Sequence, residues 1–141
     1  MNMRIVKEAA QQSGATIENR RKWCGRDVGF YVKFDNGYAL SVCYGPGSYS
    51  TNRHCDAPGP WSPQTKYAPR SKVKIVELAM WGPDPSADSG YTDDFVVFEG
   101  GVAGHVSSKR LPEIFAAIAK EDFRTVCGLA SVSMVEPEEV K

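Results

Sequence analysis

The clearest pattern of apolar and polar positions runs from Gly29 to Tyr44, where two apolar-rich runs flank Asn36-Gly37. Asn-Gly between such runs signals a β-hairpin, because both residues tolerate the positive φ of a tight turn. Side-chain parity then chooses the loop. A two-residue loop sets Phe34 opposite Ala39 and Phe30 opposite Cys43, mixing the faces. A three-residue loop, Asp35-Asn36-Gly37 with Gly37 left-handed, sets Phe34 opposite Tyr38, Val32 opposite Leu40 and Phe30 opposite Val42. One continuous apolar face results, with Tyr31, Lys33, Ala39, Ser41 and Cys43 on the other. The bulged three-residue turn is therefore expected.

The same reading extends along the chain. Residues Met3–Gln12 read as a short helix, with Ile5, Val6 and Ala9 on one side and Gly14 as its stop. Ile17–Arg26 follows no clean period, and Arg20-Arg21-Lys22 beside Trp23 reads as a solvated turn with the indole folded inward. Lys72–Trp81 predicts a strand with Val76, Leu78 and Met80 on one face. Its other face is also largely apolar, which places it centrally. Asp94–Glu99 predicts a third long strand. Gly100-Gly101 then turns into Val102–Val106, where Val102, Gly104 and Val106 point one way and His105 the other. Ser107 or Ser108 caps a helix with Pro112 in its first turn and an apolar stripe of Leu111, Ile114, Phe115 and Ile118. Asp122–Val135 suits a further strand or a packed coil.

The expected fold is α+β: a small antiparallel sheet of four to five strands, opening with the hairpin, and a C-terminal helix packed on one face. A single domain would span residues 1–135, with a long irregular insertion at 45–71 and a solvated tail at 136–141. The insertion follows from Gly45-Pro46-Gly47, which ends the hairpin, and from Pro58, Pro60, Pro63 and Pro69. Loops of this length inside compact domains are uncommon and usually functional or disordered. Tyr49, Trp61 and Tyr67 favour partial order here.

With 141 residues, 42% hydrophobic and 24% charged, the composition is that of an ordinary globular domain. Seventeen basic and seventeen acidic residues cancel, which argues against strong non-specific binding to nucleic acid. The cancellation hides an asymmetry. Residues 1–34 carry seven Lys/Arg against three acids, and residues 50–76 five against one, whereas 77–104 hold six acids and no Lys or Arg. Four cysteines without CxxC spacing, and no apolar leader ahead of them, point to reduced thiols in a cytoplasmic protein. No apolar run is long enough for a membrane helix.

Catalytic signatures are incomplete. Adjacent His54 and Cys55 would be strained as ligands of one ion and no second pair accompanies them, so neither a metal nor a cofactor is expected. His105-Val106-Ser107 is one copy of the His-x-Ser/Thr element that two-histidine phosphoesterases carry twice. A phosphoester hydrolase would need His105 and His54 to converge, one as base and one as acid. Gly45-Pro46-Gly47 lacks the lysine of a phosphate-binding loop. The insertion does interleave aromatics with cations: Tyr44, Tyr49, Arg53, His54, Trp61, Lys66, Tyr67 and Arg70. Such residues stack on bases and pair with phosphates. The plainer reading is that they pin the loop to the sheet.

Three segments carry a resemblance: Asn36-Gly-Tyr-Ala-Leu-Ser-Val-Cys-Tyr-Gly-Pro-Gly-Ser-Tyr49, Val76-Glu-Leu-Ala-Met-Trp-Gly-Pro-Asp84, and Gly101-Val-Ala-Gly-His-Val-Ser-Ser108 before a helix. In outline, from Phe30 to Lys120, the chain resembles small uncharacterised accessory proteins of phages and prophages. The resemblance implies a non-catalytic counter-defence protein in the bacterial host cytoplasm, binding a host protein or a nucleotide-like signal molecule. No site residue carries over from it. A structural or virion-associated role, with self-association into a homo-oligomer, remains a third reading.

Overall fold

The computed structural model describes residues 1–23, 25–53, 55 and 67–135. In chain order the elements are α1 (Met3–Gln12), β1 (Ala15–Asn19), β2 (Gly29–Phe34), β3 (Ala39–Cys43), β4 (Ile75–Trp81), β5 (Val97–Phe98), β6 (Val102–Ser107), α2 (Leu111–Ala119), α3 (Phe123–Ala130) and β7 (Met134–Val135). Five strands form one antiparallel sheet in the order β1-β2-β3-β4-β6, and β5 pairs separately with β7. The fold is α+β.

The hairpin has the register that parity requires. Phe30 lies opposite Val42 and Val32 opposite Leu40. The Phe34 amide donates to the Tyr38 carbonyl at 2.9 Å, and Gly37 sits at φ 90°. Asn36 has a second task beyond the turn. Its Nδ2 donates to the Ile118 carbonyl at 2.9 Å, tying the hairpin tip to the end of α2.

The apolar faces of β2, β3 and β4 meet under the three helices. Phe30, Val32, Leu40, Val42, Leu78 and Met80 are wholly buried there, together with Leu111, Ile114, Phe115 and Ile118 of α2. Each large side chain so buried stabilises the fold by about 1.5–3 kcal/mol. Helix α1 contributes Val6, Ala9 and Ala10, while Ile5, expected on its inner side, is 48% exposed. Asn2 caps α1 through its side chain, and Gly14 at φ 63° follows its end.

Four elements differ from the sequence expectation. Ala15–Asn19 is an edge strand whose alternation is too polar to show, and β2 alone pairs with it. Asp94–Glu99 is not a long strand. The Val96 amide still bonds to Met80, but Val97 at φ 78° makes a tight γ-turn, closed by the Phe98 amide on the Val96 carbonyl, and the chain leaves the sheet. In β6 the alternation shifts: Val76 faces Val106 but Leu78 faces Ala103, so Glu77 opposes both Gly104 and His105. This bulge places Ala103 and Val106 in the core and His105 at φ 55° on the surface. Lastly, Phe123–Ala130 is a helix, capped by Asp122, whose carboxylate accepts from the Thr125 amide and hydroxyl. Among the described residues, no helix is long and apolar enough to cross a membrane.

Candidate functional site

Three of the loop candidates meet at Asp27, a residue with no pattern around it except that it is the lone acid after Arg20, Arg21, Lys22 and Arg26. Tyr44 is fully buried where β3 ends, and its hydroxyl donates to Asp27 Oδ2 at 2.6 Å. Arg70 Nε reaches the same oxygen at 2.6 Å and Tyr44 Oη at 2.7 Å, while its Nη2 reaches Oδ1 at 2.9 Å. The result is a forked charge pair. Tyr67 donates to the Asp27 carbonyl at 2.6 Å, under the guanidinium of Arg26. Burial opposes ionisation of Asp27, but the bonds from Arg70, Tyr44 and the Gly29 amide outweigh it and hold the carboxyl below its usual range. Burial, and then the neighbouring Asp27, pushes the Tyr67 phenol up to about 12 and that of Tyr44 higher still.

Asn52 completes this clamp. It is 1% exposed, and its Nδ2 donates to the carbonyls of Tyr44 and Ala68 at 3.0 and 3.2 Å. Its Oδ1 accepts the Ala68 amide at 2.8 Å. One side chain thus links the segment where the insertion starts to the segment where it ends. Tyr44, Tyr67 and Arg70 are occupied by these internal partners.

Tyr49 and Arg53 form a second group beside β6. The Arg53 guanidinium lies 4.4 Å over the Tyr49 ring, which is 42% exposed and 5.6 Å from the His105 ring. The Tyr49 amide donates to Glu77 Oε2 at 3.0 Å, and its carbonyl accepts the His105 amide at 2.9 Å. Gly104 permits this approach, since a Cβ there would stand 2.7 Å from that of Tyr49. His54, Trp61 and Lys66 lie outside the described residues, and with His54 so does the expected convergence with His105. Among the described residues, no group of three His, Cys, Asp or Glu side chains is placed to hold a metal ion.

A further site lies on the helix-free face of the sheet. Tyr31 and Trp81 stand diagonally across the small side chains of Ala39 and Ser41, their rings 6.0 Å apart and edge to face. Phe95 packs edge-on against Trp81 at 4.9 Å, extending the aromatic row. Arg20 lies 5.0 Å over the Tyr31 ring and donates from Nη1 to Ser41 Oγ at 2.6 Å. Between Tyr31, Trp81 and the loop carrying Ser89, Tyr91 and Thr92 is a cleft of about 380 Å³, lined also by Ala39. Lys33 and Glu18 line its rim as an ion pair at 2.7 Å, both well exposed. The Glu18 hydrogen bond raises the Lys33 pKa above its usual value.

No protein-family model matches the chain. No curated protein and no solved structure is detectably similar to it. The functional reading therefore rests on the geometry and on the sequence pattern. Parity had already placed Tyr31, Lys33 and Ala39 on one face, and only the strand order brings Trp81 beside them.

Proposed function

We propose that the chain is a non-catalytic binding module that takes up a nucleotide-like small molecule on the helix-free face of its sheet. The supporting observation is the cleft over Ala39, where an aromatic wall stands beside the cation Lys33. Its volume falls within the ordinary range of small-molecule sites, about 300–1,000 Å³. A planar base would lie on the Trp81 or Tyr91 ring, and Glu18 would accept from its amino edge. Phosphate groups would turn towards Lys33, the cation that lines the cleft. Set beside the phage-type pattern of the sequence, this reading makes the protein a counter-defence factor. By sequestering a signal nucleotide in the host cytoplasm it would remove that signal from its receptor.

The test is calorimetric titration with mononucleotides and cyclic dinucleotides, repeated with Trp81→Ala and Lys33→Ala. Stacking of a base on an aromatic ring contributes about 1–3 kcal/mol, so Trp81→Ala should weaken binding by about 5- to 150-fold. Absence of binding at millimolar nucleotide, or affinity indifferent to Trp81, would reject the site. Turnover of the ligand that disappears in His105→Ala would instead favour the phosphoester hydrolase.

A further inference from the structure

At the far end of β4 from Trp81 the surface changes character. A groove of about 810 Å³ opens between the start of α1, the segment leading into β4 and the junction of β6 with α2. Its floor is apolar, made by Ile5, Val6, Ile75 and Pro112, and Ile5 is largely exposed although it belongs to the apolar side of its helix. Its rim carries Lys72, Lys74 and Lys109, and no Asp or Glu lines it. The ion pairs found among the described residues join Lys33 to Glu18 and Arg70 to Asp27, so none of these three lysines is neutralised by a carboxylate. The amino group of Met1 donates to the Ser71 and Val73 carbonyls in the same groove. Burial first, and then the charges of Lys72 and Lys74, lowers its pKa, as expected where like charges crowd without relief. Because α1 begins in this wall, its N-terminal partial charge has the same sign.

An apolar floor under unpaired cations favours one kind of occupant. We infer that this groove docks an acidic peptide segment of a partner protein, with an apolar side chain of the segment against Ile5 and Pro112 and its carboxylates against Lys72, Lys74 and Lys109. A nucleic-acid backbone would meet the lysines but leave the apolar floor uncovered. The site is separate from the sheet-face cleft and does not depend on what that cleft binds.

The experiment uses the full chain and a fluorescein-labelled peptide of alternating glutamate and leucine, followed by fluorescence anisotropy. Controls are a glutamate–serine peptide and a labelled single-stranded oligonucleotide of equal charge. Binding of the glutamate–leucine peptide is expected to weaken with salt and to fall by on the order of 10- to 100-fold in the combined Lys72→Glu, Lys74→Glu, Lys109→Glu variant. Ile5→Ser should weaken it as well, and the glutamate–serine peptide should bind less tightly. Melting temperature reports folding, and if the triple variant fails to fold, the single reversals Lys72→Glu and Lys109→Glu are read instead, at about 3-fold each. Affinity indifferent to these reversals, or tighter binding of the oligonucleotide, overturns the proposal. So would salt-sensitive self-association of the protein that is lost on the same reversals, since the groove would then hold the Asp93-Asp94-Phe95 stretch of a second copy.

Discussion

Replacing Arg70 by Met tests whether the end of the insertion is anchored by charge. Methionine keeps an apolar stem and removes the guanidinium, whose carbon lies 5.4 Å from the centre of the Phe30 ring. Two bonds to Asp27, one to Tyr44 and one to Asn19 disappear with it. Breaking a fully buried pair costs about 3–5 kcal/mol, and an exposed one contributes at most about 1 kcal/mol. The side chains here are 22% and 32% exposed, nearer the buried limit, which sets the expected loss at about 2–3 kcal/mol. For 141 residues the unfolding entropy near the midpoint is about 0.3 kcal/mol/K, so Tm should fall by about 8 °C. Acid supplies an independent reading. Asp27 titrates lower in the folded protein than in the unfolded chain, so its contribution is complete above the unfolded value near 4 and is lost as pH drops through the depressed folded value. The gap between wild type and Arg70→Met, measured by urea unfolding, should therefore be widest at neutral pH and narrow progressively as pH falls below ~4. A variant melting within about 2 °C of wild type, or a gap unchanged at pH ~3, would refute the anchor and return Arg70 to ligand binding.

Other outcomes follow from the same geometry. Asn52→Ala strips the partner from the Tyr44 and Ala68 carbonyls and the Ala68 amide, and should cost about 2–4 kcal/mol by denaturant unfolding, far more than an exposed Asn→Ala change. Gly37→Val forces a β-branched residue to φ 90° and a Cβ to 2.8 Å from Pro83, so a loss of at least about 1–3 kcal/mol is expected in the same assay. Native-state alkylation followed by mass spectrometry should label Cys43 well before Cys127, because burial raises the Cys127 pKa and shields its sulfur.

How far the sequence disclosed these features depends on the range of the contacts involved. The hairpin register was legible because parity and a glycine turn are local properties that agree with one another. The stripe of α2 was legible for the same reason. β1 was not, because its outer face is polar and its identity as a strand comes from β2. α3 escaped although Phe123, Val126, Cys127 and Ala130 hold helical spacing, because Val126 and the valines that follow suit a strand equally well. The bulge at Gly104-His105 reversed the expected orientation in β6, since one extra residue inverts every alternation beyond it. At the site, Tyr31, Lys33 and Ala39 shared a face by parity, but the pairing of Trp81 with Ala39 is set by a strand that follows after the insertion. Asp27 and Asn52 are single polar residues with distant partners: Asp27 meets Tyr44, Tyr67 and Arg70 at 17, 40 and 43 positions, and Asn52 meets Tyr44 and Ala68 at 8 and 16.

Asn52 holds the described ends of the insertion together by side chain rather than by backbone pairing. Its bonds to Tyr44 and Ala68 set the distance between the end of β3 and the segment that leads into β4. A change at Asn52 is therefore felt at both places at once and, through the Tyr44 hydroxyl, at Asp27.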